Sequence, residues 1–283
     1  IKEDTTCTNP DLALVASEKV ISEGVSAIIG AVCPEITKTI LLNSAIPNDI
    51  TMISPAETSS LLNNINDKGL FFRTTPSDTR GGEILADITK DRNIKRVAIT
   101  YVDNNYNKNL ANIYKKTVEK HKIEVTIMLP YKDDKEDYSS EIANLVAAGG
   151  DAVVVIGNLE KGGKKIIKTS IDSGAFDKFI LSDEMIGQSL VDTFGKKLKK
   201  SFGFVPGSSG KRASFFNKVA KNGGIDVSYP YTGESYDAAA LIVLAIQAGN
   251  SSNSMSIAKN ILNVANAPGI KIYPGEIKKG LEL

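Results

Sequence analysis

Side chains able to do covalent chemistry are few in this chain and lie far apart. His121 is the single histidine. It falls in KHKIE, a charged run between an expected helix and an expected strand, where a Ser-His-Asp site would have to be assembled around it. A solvated loop histidine is the expectation, and no catalytic residue is assigned. Cys7 and Cys33 are the only two cysteines, 26 positions apart. With one histidine placed elsewhere they make no zinc pattern, so no metal site is expected. Their spacing leaves two readings open, a bridge closed by an intervening helix or two buried thiols. The run Gly157 to Lys164, GNLEKGGK, approaches a phosphate loop, but an extra glycine precedes the lysine. Lys165 also stands where Ser or Thr would help hold Mg²⁺. No phosphate site and no cofactor are expected. The lysine-rich runs EKGGKK and KKLKK read as solvated faces.

The chain does offer a binding corner. Thr51, Met52 and Ile53 form a short apolar strand, and Ser54-Pro55 breaks it, because proline disfavours helix at the preceding residue and cannot donate to a ladder. Beyond the break come the carbonyl of Ala56 and the amide and hydroxyl of Thr58. Leu61 and Leu62 then suggest the start of a helix, for which Thr58 is alternatively the cap. Open α/β sheets hold ligands at the carboxyl ends of strands. This corner has donors and an acceptor but no nucleophile beside a base, so its chemistry is binding.

Around it, strands alternate with helices. Asn9-Pro10 reads as cap and first turn of a helix carrying Leu12, Val15, Ala16 and Val20 at helical spacing. Ser26 to Val32 reads as a strand buried on both faces, followed by a helix from Glu35 to Ser44 and a strand from Leu70 to Thr74. The pattern restarts at Pro76, with expected strands at Val97 to Tyr101, Ile123 to Leu129, Ala152 to Ile156 and Phe179 to Leu181. Such alternation implies right-handed crossovers and parallel sheets. Phe202 to Val205 reads as a crossing strand with a flexible exit, Pro206 to Gly210, and helices follow. At 283 residues two lobes are the better prior. The expected division is 1–79 plus 206–283 and 80–205, with two crossings making a hinge that closes on a ligand. The formal net charge of +1 gives no electrostatic case for nucleic acid. The longest apolar run, Ala238 to Ile246, is nine residues, against about 20 needed to cross a bilayer, so no membrane insertion is expected.

ISPAET after a strand, followed by GLFFRTTPSD, resembles the periplasmic binding proteins of the leucine/isoleucine/valine type. The resemblance runs from Asp4 to about Gly275 and takes in DTTC, AIIGAVC, YVDNNY, AAGGDAVVV and GESYDAAALIVLAIQAG. It implies an α/β fold of two lobes, each a parallel sheet flanked by helices. It also implies an extracytoplasmic, periplasmic receptor that captures a small amino acid or amide-like compound and delivers it to ABC transporter membrane subunits. A monomer is expected. Such receptors begin with one more strand and helix and continue past GEIKKGLEL, so the chain is expected to lack both ends; the N-terminus shows no export signal. The resembled receptors have a cysteine pair at these points, which favours a Cys7–Cys33 bridge and an oxidising compartment.

Matching motifs residue by residue, the resemblance assigns Ala56 (carbonyl) and Thr58 (hydroxyl and amide) to an amino acid's ammonium and carboxylate. Tyr106 falls on an aromatic that contacts the ligand from the second lobe, and Asp183 on the acid that neutralises the ammonium, with Glu184 one position away. Asp78 falls near another family acid, with a helix cap as its alternative. Three departures stand out. Pro34, after Cys33, replaces a serine that binds carboxylate; Glu57 replaces a small residue inside the corner; and Asn158 stands where a tyrosine would cover the ligand. A cationic or amide-bearing ligand therefore stays open beside a branched-chain one. A sensory ectodomain or effector module of the same fold, and an enzyme, are the other classes considered.

Overall fold

Short runs of Val, Ile, Ala and aromatic residues become parallel strands only if a crossover returns the chain to the same end each time, and helices supply those crossovers. The computed structural model describes residues 1–207, 210–227 and 229–283, with Arg212 described in its backbone alone. In chain order the elements are α1 (Pro10–Ser22), β1 (Ala27–Ile29), α2 (Pro34–Ile40), β2 (Thr51–Ser54), β3 (Phe71–Arg73), α3 (Asp78–Asp91), β4 (Arg96–Val102), α4 (Asn105–Lys120), β5 (Glu124–Tyr131), α5 (Ser139–Ala148), β6 (Ala152–Ile156), α6 (Lys164–Asp172), β7 (Phe179–Leu181), α7 (Gln188–Phe194), β8 (Phe202–Gly203), α8 (Lys211–Asn222), α9 (Thr232–Gly249), α10 (Ser254–Ala265) and α11 (Ile277–Leu281). They fall into two compact units, Ile1–Ser77 with Pro206–Leu283, and Asp78–Val205.

The first unit holds a parallel sheet in the order β1-β2-β3. β2 is its centre and is buried along its whole length. One core cluster joins Met52 to Ile36, Ile40 and Leu41, and another joins Ile53 to Ala238, Ala245, Ile257 and Ile261 of α9 and α10. The C-terminal helices thus close the sheet formed by the N-terminal segment. Ser254 secures them: its Oγ accepts from Thr51 N–H at 2.6 Å, and its carbonyl accepts from Thr51 Oγ1 at 2.7 Å. Asn9 caps α1, accepting from the amides of Asp11 and Leu12 at 3.0 and 3.2 Å.

Several local expectations are corrected here. Only Ala27–Ile29 of the Ser26 to Val32 run pairs as a strand, and Ile29 and Val32 are exposed, because β1 is an edge of the described sheet. Helix α1 buries Ala13, Ala16 and Ser17 and leaves Leu12 and Val15 outside, since small residues let it lie closest to its neighbours. The helix expected to run to Ser44 loosens after Ile40 into a wider turn, Leu41–Ala45. Of the expected exit after Val205, Ser208 and Ser209 lie outside the described residues.

The second unit is doubly wound, with five parallel strands in the order β5-β4-β6-β7-β8. Alternate residues of β6 serve the two faces. Val153 and Val155 pack with Ile142 and Leu145 of α5, Ile166 and Ile167 of α6, and Leu190 and Phe194 of α7. Ala152, Val154 and Ile156 pack with Leu85 of α3 and Leu110, Tyr114 and Val118 of α4. A fully buried central strand of this kind has to read as a continuous apolar run. Phe202–Gly203, expected as a crossing strand, pairs with β7 as the fifth member of this sheet.

Cys7 and Cys33 form a disulfide, with Cα atoms 5.6 Å apart. By loop-closure entropy, a bridge over 26 positions constrains the unfolded chain by about 3 to 4 kcal/mol. Intact-mass measurement should therefore find no alkylatable thiol before reduction and two after it. The Cys7→Ser/Cys33→Ser double variant should lose roughly that much stability in denaturant unfolding.

Candidate ligand-binding site

In the first unit the chain leaves β2 at Ser54 and stays buried through Ser59. A buried loop has no ladder to satisfy its backbone, so side chains must do it. The Ser54 hydroxyl donates to the Ala31 carbonyl and accepts from the amides of Ala56 and Glu57 at 3.4 and 3.0 Å. Glu57 is 1% exposed, and its Oε1 accepts from the Ser59 amide at 2.9 Å. From β3, the Arg73 guanidinium donates through Nη1 to the carbonyls of Ser59 (2.9 Å) and Glu57 (3.4 Å), and through Nη2 to Asn63 Oδ1 at 2.6 Å. Among the described residues, no hydrogen bond reaches the Ala56 carbonyl. The expected helix beyond the corner is a single 3-10 turn, Ser60–Leu62, and Ser59 caps it, accepting from the Leu61 amide. The cap reading of Thr58 is thereby corrected: the capping side chain is one residue later.

Cys33 and Pro34 follow β1 at the same end of this sheet. Pro34 is the first residue of α2, where its missing N–H is least costly. Thr75, just beyond β3, has a buried hydroxyl with no hydrogen-bond partner among the described residues.

In the second unit β4 has β5 on one side and β6 on the other, so the winding reverses between β4 and β6. The loops at the carboxyl ends of those two strands flank a switch point, where doubly wound sheets hold ligands. Asn104 after β4 caps α4, accepting from the Asn107 amide at 2.8 Å, and presents Tyr106 in the first turn. The Tyr106 hydroxyl donates to Asp78 Oδ1 at 3.5 Å. Asp78 is 3% exposed and opens α3. After β6, Gly157 has φ +158°, and a Cβ there would lie 2.5 Å from Val102 Cγ2 and still closer to the Tyr131 hydroxyl. Only glycine fits that backbone and that gap. Asn158 is exposed and caps the next turn, accepting from the Glu160 amide at 2.9 Å. The Gly162 amide donates to Asp133 Oδ1 at 2.9 Å, so a carboxylate occupies the amide that a phosphate loop would offer its anion.

Asp183 and Glu184 follow β7. Glu184 is exposed by area, yet its carboxyl is pushed up to about 7. Lost hydration is the largest cause, followed by the charges of Asp183, Asp78 and Asp133, with Lys161 opposing. His121 caps the end of α4, and its Nε2 meets Asp87 Oδ1 at 2.8 Å. Of the lysines of the GNLEKGGKK run, Lys164 pairs with Glu160 and Lys165 with Glu136.

A family model described as the receptor family ligand binding region matches residues 1–276. The chain belongs to that family. The leucine-, isoleucine-, valine-, threonine- and alanine-binding protein of Pseudomonas aeruginosa is 27% identical over 147 residues, 52% of this chain and 39% of the relative. The Leu/Ile/Val-binding protein homolog 3 of Brucella melitensis biotype 1 is 22% identical over 178 residues, 62% of this chain and 47% of the relative. The chain thus spans less than half the length of these two relatives. The substrate-binding protein LivJ of a Streptococcus pneumoniae branched-chain amino acid transporter, solved in complex with isoleucine, superposes with a TM-score of 0.75 at 19% identity. That match covers 92% of this chain and 74% of LivJ. An ABC transporter substrate-binding protein of Desulfitobacterium hafniense in complex with leucine gives 0.75 at 19% identity, over 93% and 77% of the two chains. The fold is that of type I periplasmic binding proteins.

Within each unit the candidate residues gather at one end of a sheet: Cys33, Pro34, Ala56, Glu57 and Thr58 in the first, and Asp78, Tyr106, Asn158 and Asp183 in the second. Ser54, Arg73 and Asp133 were missed. The signal available for Asp133 was its position just after a strand, the same end as every other candidate.

The elevated Glu184 carboxyl gives a signed pH dependence. Between its ordinary value of 4.5 and about 7 the fold holds a proton that the unfolded chain has released. Stability then falls as pH rises through that window and is lowest above it. Glu184→Gln should raise the thermal midpoint relative to the parent at pH 8, with the gain shrinking towards pH 4.5. A difference independent of pH would contradict the assignment. Solvent around this exposed side chain keeps the effect small.

Proposed function

We propose that this chain is the ligand-binding part of an extracytoplasmic, periplasmic solute receptor that captures a small amino acid or related compound and presents it to the membrane subunits of an ABC transporter. It acts by binding and not as an enzyme. What most supports this reading is the family match over residues 1–276, combined with a buried, donor-bearing corner at the carboxyl end of β2. In this reading the Ala56 carbonyl and the Thr58 amide and hydroxyl take the ligand's ammonium and carboxylate, and Tyr106 and Asp183 take it from the second lobe. Asp78 and Asn158 complete that wall, while Cys33 and Pro34 border the first.

The departures decide which ligand suits it. Pro34 brings neither amide nor hydroxyl, so carboxylate recognition rests on Thr58. Glu57 is turned onto the Ser59 amide of its own loop, so its carboxylate serves the loop. The charge that meets an ammonium then comes from the second unit, whose acids Asp183, Asp78, Asp133 and Glu184 sit near one another.

Calorimetry on the full-length protein with leucine, isoleucine, valine, threonine and alanine tests the reading, and native mass spectrometry tests it without choosing a ligand. Leaving a buried ammonium unpaired costs several kcal/mol, so Asp183→Asn should weaken an amino-acid ligand by roughly 2 to 5 kcal/mol, and Thr58→Ala by about 1 to 3. Equal affinity of Asp183→Asn and the parent would sink the ammonium role and make Glu184 the acid to test.

A further inference from the structure

A trans peptide unit is planar, with its C=O and N–H pointing to opposite sides. Gripping one end of the unit therefore aims the other. The Glu57 amide donates to Ser54 Oγ at 3.0 Å, and that amide shares a peptide plane with the Ala56 carbonyl. The Glu57 carbonyl accepts from Arg73 Nη1 at 3.4 Å, and that carbonyl shares a plane with the Thr58 amide. The same Nη1 also holds the Ser59 carbonyl at 2.9 Å, beyond Thr58, and Nη2 holds Asn63 at 2.6 Å. Thr58 is thus flanked on both sides by carbonyls tied to one rigid cation.

We propose that Arg73 is a positioning residue for ligand binding: by holding the Glu57 carbonyl it fixes the peptide plane that carries the Thr58 amide, and by holding the Ser59 carbonyl it fixes the next residue's exit, so that the Thr58 amide points away from the guanidinium, towards the ligand, while Ser54 does the same for the Ala56 carbonyl. The inference rests on the reading of this corner as the ligand site. Arginine suits the task because its planar fork projects donors in fixed, diverging directions. A lysine ammonium is a point charge that can reach the Ser59 carbonyl but cannot span to Asn63 as well. Arg73 ends β3, which pairs with β2, so the brace is anchored in the same sheet from which the loop departs.

The test uses the full-length protein and the variants Arg73→Ala, Arg73→Lys and Asn63→Ala. Binding of the same five amino acids is measured by calorimetry, with amide hydrogen exchange and thermal unfolding alongside. Arg73→Ala should weaken binding at least ten-fold, with Arg73→Lys intermediate. Exchange should accelerate in the peptide spanning 54–63 and stay unchanged in 97–102 and 152–156. Unchanged affinity in Arg73→Ala overturns the proposal, and so does a lower thermal midpoint with affinity intact well below it, which is the signature of a structural role alone. Should Arg73→Ala fail to fold, Arg73→Lys and Asn63→Ala carry the same comparison, and parental affinity and exchange in both overturn it. Should the parent bind none of the five amino acids, the ligand class proposed above fails, and the exchange data decide the brace. Acceleration confined to 54–63 upholds it, and its absence overturns it.

Discussion

Everything about the first unit's corner depends on one constraint: a loop that goes inside must have its backbone polar groups satisfied by something other than a ladder. Pro55 to Ser59 go inside. An unpaired buried amide or carbonyl costs about 1 to 3 kcal/mol, and this stretch presents several. Ser54, Glu57, Ser59 and Arg73 answer them one by one, with the Ser54 hydroxyl also reaching back to Ala31 in the segment that leads to Cys33. The disulfide holds that same segment to the start of α1. In the proposed reading two of the recognition groups, the Ala56 carbonyl and the Thr58 amide, are backbone groups, so their aim is only as good as the planes that carry them.

The second unit solves a different problem. Its strands are buried on both faces, which leaves their carboxyl ends as the place where polar residues can gather. Asp78, Asp133, Asp183 and Glu184 gather there, and lost hydration, followed by the charges of the three aspartates, raises the proton affinity of Glu184. Part of that charge is committed to structure, since Asp133 accepts from the Gly162 amide and Asp78 from Tyr106. What remains is an environment that favours a positive group over a negative one by Coulomb energy alone.

The legible part of the sequence was periodic. Continuous apolar runs such as Ala152 to Ile156 and Phe179 to Leu181 recur as strands with the same ends, because burial on both faces leaves a one-dimensional signature. Edge strands leave a weaker one, and the apolar run Ser26 to Val32 extends beyond the paired Ala27–Ile29 for that reason. Helix α1 misleads in another way: Leu12 and Val15 face outward and its alanines inward, and spacing cannot tell the two faces apart when both are apolar. The contacts that shape the site were not legible at all. Arg73 reaches Ser59 across 14 positions, and Asp133 reaches Gly162 across 29. No local pattern encodes a pairing that exists only once strands lie side by side.

Glu57 joins these threads. A carboxylate in a binding corner reads from sequence as a ligand contact, attractive to an ammonium or hostile to a carboxylate. Its burial and its bond to the Ser59 amide give it another role, because a polar group with so little water must find its hydrogen-bond donors within the protein. One such donor is an amide of the loop it stabilises, and the loop's carbonyls in turn are held by the Arg73 guanidinium. The acid and the cation therefore stabilise the same few peptide units. A small residue at position 57 would leave the Ser59 amide to seek another acceptor, so in this chain the corner's shape and the acid at its centre are one adaptation.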